Sequence, residues 1–353
     1  MTVAATPDPL HYPFPVRPRP GAAVQVAEGV LWIRLPLPMR LDHVNVYALD
    51  DGPAGWTVID TGIGTARCRE AWEALVNGPL GRRPVWRVLV THHHPDHMGL
   101  AGWFRSERGA ELWTSRTAWL FARMLQLDVQ EAPAAEAVNF WRAAGMPADI
   151  LAVRMAERPF NFADVVAPLP PGFRALGEGD TVTAGGRVWD VRLTGGHAPD
   201  HITLWSRDDP LVIVGDQVLP RITPNLGVWP NEPEADPLAD FLRACERLAR
   251  HASDAQLVLP GHQMPFTGLP ARLAALSAHH RDALDRLAAA LVRPRSAVGC
   301  FDVLFGRRIE AGHFTLALGE ALAHLHRLRA EGRAIGEAGA DGVVMWRATG
   351  DSA

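Results

Sequence analysis

The chain has 353 residues, enough for about two domains, and 48% of them are hydrophobic, so it buries a sizeable core and is no disordered segment. Its net charge of −4 gives no support to a nucleic-acid or anionic-membrane partner, which would normally show as a basic excess. All 35 basic residues are arginine, and the absence of lysine excludes Schiff-base chemistry, a P-loop lysine and a Ser–Lys dyad.

Cys68, Cys245 and Cys300 are far apart, odd in number and outside any C-x-x-C pair, so they read as buried thiols. Residues 1–24 form a proline-rich lead, MTVAATPDPLHYPFPVRPRPG and onward, without the cationic start and apolar run of a signal peptide. No apolar segment approaches the length needed to cross a bilayer, and the expected location is cytoplasmic.

Strand-like runs follow at GVLWIRLP (29–36), HVNVYALD (43–50) and WTVID (56–60), then a helix at ARCREAWEALV (66–76). WRVLV (86–90) reads as a buried strand, GLAGWFRSE (99–107) as a helix and AELWTS (110–115) as a strand. From about 116 to 160 the pattern is helical and rich in Phe, Met and Trp, as in FARMLQLD (121–128) and VNFWRAAGM (138–146). Strands resume at RVWDVRLT (187–194), ITLWSR (202–207) and PLVIVGD (210–216), followed by a helix at 235–251 and a strand at QLVLPGH (256–262). Two sheets with helices on their outer faces satisfy this order. The expected larger domain spans 25–270, with a helical insertion at about 116–160. Residues 271–353 read as a smaller domain: helices at 273–292 and 314–333 flank SAVGCFDVLFG (296–306), and a hairpin-like 334–348 ends a winged-helix-like outline.

One loop carries the chemistry. THHHPDHMG (91–99) places four histidines and an aspartate between His92 and His97, and imidazole with carboxylate suits zinc and its neighbours. The competing reading is a solvated polar loop. Four more polar residues end apolar strands: Asp60 in VIDTG, His197 in LTGGHAPDH, Asp216 in VIVGDQV and His262 in VLPGH. Core packing does not explain five strands ending in Asp or His. Ligands collect at the carboxyl ends of strands in open α/β sheets.

This ordered set resembles the metallo-β-lactamase fold superfamily over about residues 25–265, with the H-x-H-x-D-H signature at His92, His94, Asp96 and His97. The resemblance implies a four-layer αβ/βα sandwich. It implies a first metal on His92, His94 and His197, a second on Asp96, His97 and His262, and Asp216 as the bridge. Asp60 is then the orienter of a ligand histidine, with a turn-capping aspartate as the alternative. Alternation in an extended turn puts His92 and His94 on one side and leaves His93 outside the ligand set. The implied cofactor is two Zn²⁺, with iron or manganese as alternatives, because His/Asp sites discriminate poorly.

A pair of metals supplies a bridging hydroxide at neutral pH, and Asp96 is the expected proton carrier for the leaving group. The expected substrate is an ester, thioester or lactone of a small apolar acyl group. The best-known lactamases of the superfamily have cysteine or no bridge where this chain has Asp216. The chain also departs from glyoxalase II, which carries a basic lysine-bearing tail. It departs from the acyl-homoserine-lactone lactonases too, since GDQVLPR (215–221) lacks their tyrosine near the bridge.

A phosphodiesterase or endoribonuclease using the C-terminal domain, a mononuclear-iron sulfur dioxygenase, a β-lactamase and a metal-binding module without turnover are the alternatives. From Leu276 onward 10 arginines face 9 acidic residues, so a nucleic-acid partner is disfavoured, and a homodimer stays open. His43, His201, Arg221 and Trp229 are candidates to line the substrate cleft, against plain packing or surface roles.

Overall fold

The computed structural model describes residues 9–39 and 41–350. Its backbone packing separates two units, one of residues up to 129, 161–224 and 248–273, the other of 130–160, 225–247 and 274 onward. Of the proline-rich lead, residues 1–8 lie outside the described residues. Further along, His11 exchanges backbone hydrogen bonds with Thr267.

The first unit is built on two sheets. One lays its strands side by side in chain order: β1 (Ala23–Ala27), β2 (Val30–Pro36), β3 (His43–Asp50), β4 (Trp56–Ile59), β5 (Val85–Leu89), β6 (Glu111–Ser115) and β7 (Arg174–Leu176). It is antiparallel through β4 and parallel from β4 to β7. The other contains β8 (Thr181–Ala184), β9 (Arg187–Thr194), β10 (His201–Ser206), β11 (Leu211–Gly215) and β12 (Leu257–Pro260), ordered 12-11-10-9-8, with β11 and β12 parallel. Helices α1 (Ala66–Asn77), α2 (Pro95–Met98), α3 (Ala101–Arg108) and α4 (Arg116–Leu127) complete the unit.

Alternation across each strand buries both faces of the first sheet. Val44, Val46 and Ala48 of β3 share a core with Val58, Val88, the α1 residues Cys68, Trp72 and Leu75, and Phe104 of α3. The intervening Tyr47 and Leu49 join Trp32, Ile59 and Leu89 in a second core with Trp189, Val191, Ile202, Leu204 and Ile213 of the other sheet. This helix–sheet–sheet layering is the α/β sandwich the sequence leads one to expect. Helix α1 follows from its residues: Thr65 caps it by accepting the Cys68 N–H, and Cys68, Trp72, Leu75 and Val76 form its buried stripe.

Three strands were not legible in the sequence. β7 has only three residues, and β8 is an edge strand reading Thr-Val-Thr-Ala, whose weak alternation resembles a loop. β1 is a short edge strand directly after the lead. The 116–160 stretch, helical in pattern, is three helices: α4, α5 (Ala135–Ala143) and α6 (Ala148–Ala156). Pro133 and the Gly145-Met146-Pro147 sequence interrupt it.

The second unit holds α5, α6, most of α7 (Pro237–Ala249) and α8 (Leu269–Ala290), α9 (Phe301–Phe305), α10 (Phe314–Ala330) and the hairpin of β13 (Ala334–Ala338) with β14 (Val344–Ala348). Among the described residues no helix is long and apolar enough to cross a membrane.

Neutral histidines are buried in this unit. His280 lies against Phe241 and His324, and His324 donates from Nδ1 to the Glu320 carbonyl at 2.8 Å. Burial pushes His280 down to about 3 and His324 to about 4. A histidine with a depressed folded pKa takes up its proton more readily unfolded, so its contribution is full above about pH 6.5 and lost as pH falls towards 4. Thermal melts of the native chain should therefore drop more steeply between pH 7 and pH 5 than those of a His280→Gln, His324→Gln variant. Parallel slopes would show that these histidines do not govern acid stability.

Candidate metal centre

Five strand ends deliver the candidate ligands and Asp60, the orienter of one of them. Asp60 follows β4 in a left-handed conformation (φ 62°). β5 runs through Val90 and Thr91 into the histidine loop, where His92 and His94 precede α2 and Asp96 and His97 lie on it. His197 lies between β9 and β10, Asp216 directly follows β11 and His262 follows β12. Parallel pairing of β11 with β12 puts Asp216 and His262 side by side, and the Gly261 N–H donates to the Gly215 carbonyl at 2.7 Å. Across the sandwich, the Ile202 N–H donates to the Thr91 carbonyl at 2.8 Å, fixing β10 to the histidine loop.

The side chains converge. Three groups of ligand atoms each fall within 4.8 Å of one another: His92, His94 and His197; His92, His97 and Asp216; Asp96, His97 and His262. Asp216 Oδ2 lies 3.1 Å from His262 Nε2 and 3.6 Å from His197 Nε2, while its Oδ1 lies 3.5 Å from His97 Nε2. Asp96 Oδ2 is 3.3 Å from His262 Nε2 and 3.6 Å from His97 Nε2. Ligands about 2.0–2.2 Å from a tetrahedral ion are separated from one another by about 3.3–3.6 Å. Most of these spacings match the separation that two ligands of one such ion would have and are long for hydrogen bonds.

Three of the imidazoles, those of His92, His97 and His262, are held from behind. Asp60 accepts from His97 Nδ1 at 2.8 Å and from the Thr91 N–H at 2.7 Å and hydroxyl at 2.9 Å. His262 Nδ1 donates to the His43 carbonyl at 2.7 Å. Thr91 Oγ1 lies 2.9 Å from His92 Nδ1, leaving His92 Nε2 to face His94 Nδ1 at 3.0 Å. These contacts fix which ring nitrogen is presented inward.

The donor set fits divalent cations. Buried His97 Nε2 and Asp216 Oδ1, 3.5 Å apart, both lack a hydrogen-bond partner, which leaves each free to bind a cation. A Cβ on Gly261 would stand 2.1 Å from Asp216 Oδ1 and 2.9 Å from His97 Cε1, so glycine preserves the space between two ligands. The electrostatics agree. Burial and neighbouring imidazoles pull His92 and His94 well below the ordinary histidine value, as neutral metal ligands require. Burial works against charge on His97 and His262, yet the Asp216 and Asp96 carboxylates hold His97 well above its usual value and His262 at about 10. The same imidazoles hold both carboxylates low against burial. This half of the cluster demands positive charge.

Residues 39–291 match the profile of the Metallo-beta-lactamase superfamily. The chain belongs to that superfamily. Residues 284–349 match the Metallo-beta-lactamase-like, C-terminal domain. The chain is 28% identical over 315 residues to the probable metallo-hydrolase YqjP of Bacillus subtilis (strain 168), covering 86% of this chain and 93% of that protein. Among solved structures, it is similar to a beta-lactamase domain protein of Burkholderia ambifaria, with a TM-score of 0.89 and 39% identity over 96% of this chain and 98% of that one. A metallo-beta-lactamase family protein of Thermus thermophilus aligns with a TM-score of 0.76 and 29% identity over 92% of this chain and 100% of that one. The superfamily binds divalent metals, and this metallo-beta-lactamase-fold chain is a metal-dependent hydrolase.

The four cleft candidates fall in different surroundings. His43 is buried, its Nδ1 on Asp42 at 2.7 Å and its Nε2 accepting the Gln263 N–H at 2.9 Å. His201 is fully buried, its ring stacked 4.6 Å from that of His92 and its Nε2 accepting the Asp216 N–H at 3.1 Å. Arg221 is exposed, over the Tyr12 ring at 4.9 Å, and its N–H donates to Gln263 Oε1 at 3.0 Å. Trp229 is half-buried in the second unit.

Sequence reasoning missed Thr91, which ties Asp60 to His92, although its place at the strand end was a usable signal. It also missed Asn45 and Tyr47, which donate to the Pro260 carbonyl at 2.9 and 2.7 Å and brace the His262 turn.

Gly261→Ala should fold but lose metal, because the new methyl can enter only if the Asp216 carboxylate moves. Elemental analysis after gel filtration should show at least half of the native metal gone. Native stoichiometry in a folded variant would contradict the packing.

Proposed function

We propose that the chain is a dinuclear hydrolase, binding two Zn²⁺ and cleaving an ester, thioester or lactone of a small apolar acyl group. The observation that carries this reading is Asp216, a single carboxylate with one oxygen 3.1 Å from His262 and the other 3.5 Å from His97, and with His197 at 3.6 Å. A shared carboxylate suits a pair of cations better than one. His92, His94 and His197 would hold the first ion, Asp96, His97 and His262 the second. When bound, the pair supplies an acidified water as nucleophile and positive charge against the developing oxyanion.

The protein groups do the remaining work. Asp60 and the His43 carbonyl keep the rings of His97 and His262 in one tautomer and orientation. Asp96 is the more open of the two carboxylates, with 18% of its side chain accessible against 8% for Asp216. That access supports Asp96 as the carrier of the proton to the leaving group. His201, stacked behind His92 and bonded to the Asp216 backbone, supports both ligands from the far side. Arg221, braced by Tyr12 and by the residue after His262, is the best-placed cleft candidate for a polar end of the substrate.

A carboxylate bridge in place of cysteine favours acyl-ester over β-lactam chemistry. We read the C-terminal helices and hairpin as winged-helix-like. Its 10 arginines against 9 acidic residues from Leu276 onward give no cationic footprint for RNA.

The test is a panel of short esters, thioesters, lactones, β-lactams, phosphodiesters and RNA on protein of measured metal content. Turnover should be confined to the acyl substrates, and Asp96→Asn should lower kcat by about 10²–10⁴. Full turnover by a metal-loaded Asp96→Asn protein would remove Asp96 from proton transfer, and selective cleavage of RNA or β-lactam would replace the acyl reading.

A further inference from the structure

Helix α4 has more sides than its packing explains. Ala118 and Ala122 are buried, and Leu125 packs on the core behind the first sheet. Trp119, Arg123 and Gln126 grip the 166–170 segment, donating to the carbonyls of Pro170 at 3.3 Å, Leu169 at 3.1 Å and Ala167 at 3.0 Å. A third side meets the metal loops. Thr117 donates to Asp200, three residues past His197, and the Phe121 ring lies 5.1 Å from that of His93, which in turn lies 4.8 Å from His94.

The fourth side is apolar and open. Leu120, Met124 and Leu127 are 52%, 44% and 70% exposed, and Val129 just beyond is 51% exposed. Residues spaced 120, 124 and 127 form one stripe. At about 100° per residue, Met124 falls within about 20° of Thr117 and about 60° of Phe121, with Leu120 next to it. The open stripe is therefore continuous with the side of α4 that touches the metal loops. Scattered exposed leucines need no explanation, but a register of three beside a catalytic loop does.

Three side chains expose on the order of 300 Å², well short of the about 800 Å² per partner of a stable dimer. A flexible apolar chain fits that area. From Leu120 to Leu127 the helix axis advances about 10 Å, the reach of a medium-length chain.

We propose that this stripe receives the alkyl part of the substrate, laid along α4 with its reacting carbonyl at the histidine loop. His93, outside the ligand set, is the spacer that joins loop to helix through Phe121. The occupant is an unbranched acyl chain, and the inference rests on the acyl-hydrolase reading for its reacting end.

Two measurements separate the two readings. Straight-chain carboxylates from acetate to decanoate are titrated calorimetrically into zinc-loaded protein, and p-nitrophenyl esters of the same lengths are assayed for hydrolysis. Affinity should rise about two- to threefold per methylene over the middle of the series, with KM falling in parallel. In a Leu120→Ser, Met124→Ser, Leu127→Ser variant the decanoate-to-acetate affinity ratio should collapse from about a hundredfold to a few-fold. Chain-length-dependent binding that the variant abolishes, without hydrolysis of any ester, would uphold this site and remove the hydrolase reading. A flat series in the native protein, or an undiminished ratio in the variant, overturns the proposal. An undiminished ratio with a lower sedimentation mass would assign the stripe instead to contact between copies.

Discussion

The centre depends on one carboxylate shared among imidazoles from three chain segments. Asp216 stands 3.1–3.6 Å from ring nitrogens of His97, His197 and His262, and its side chain is only 8% accessible. A buried carboxylate is costly without compensating charge, and most of these separations are too long for ordinary hydrogen bonds. Bound cations would supply that charge, and Gly261 keeps clear the space between Asp216 and His97. The sandwich has to bring the ends of β4, β5, β9, β11 and β12 to one edge, and the double-faced burial of the first sheet makes that placement rigid.

Around the candidate ligands runs a ring of groups that hold them from behind. Asp60 binds three donors at once, two of them from Thr91, and so locks the first strand end to the histidine loop. The His43 carbonyl does the same for His262, and Asn45 and Tyr47 clamp the turn before it. These links convert tolerance in any one loop into a shared tolerance of the whole edge, as the positioning of a metal centre requires.

Much of this was readable from the sequence because ligand chemistry is written in residue type. His92, His94, Asp96, His97, His197, Asp216 and His262 announce themselves as polar residues closing apolar runs. The long strands β2, β3 and β9 and helices α1 and α10 were legible for the same reason: periodicity sustained over several residues. What stayed hidden was written in geometry. The His43 and Pro260 carbonyls belong to the backbone and carry no residue signal. β7 and β8 are too short or too weakly alternating to stand out, and their pairing is decided by the sheet they join. The open face of α4 was not legible because spacing cannot tell a buried apolar face from an open one; only the exposure of Leu120, Met124 and Leu127 separates them.

Anomalous diffraction at the zinc edge from crystals of the natively purified protein bears most directly on the shared-carboxylate account. It predicts two peaks about 3.5–4 Å apart, with Asp216 between them, one enclosed by His92, His94 and His197 and the other by Asp96, His97 and His262. A single peak with Asp216 turned away from it, or peaks remote from these side chains, would contradict it.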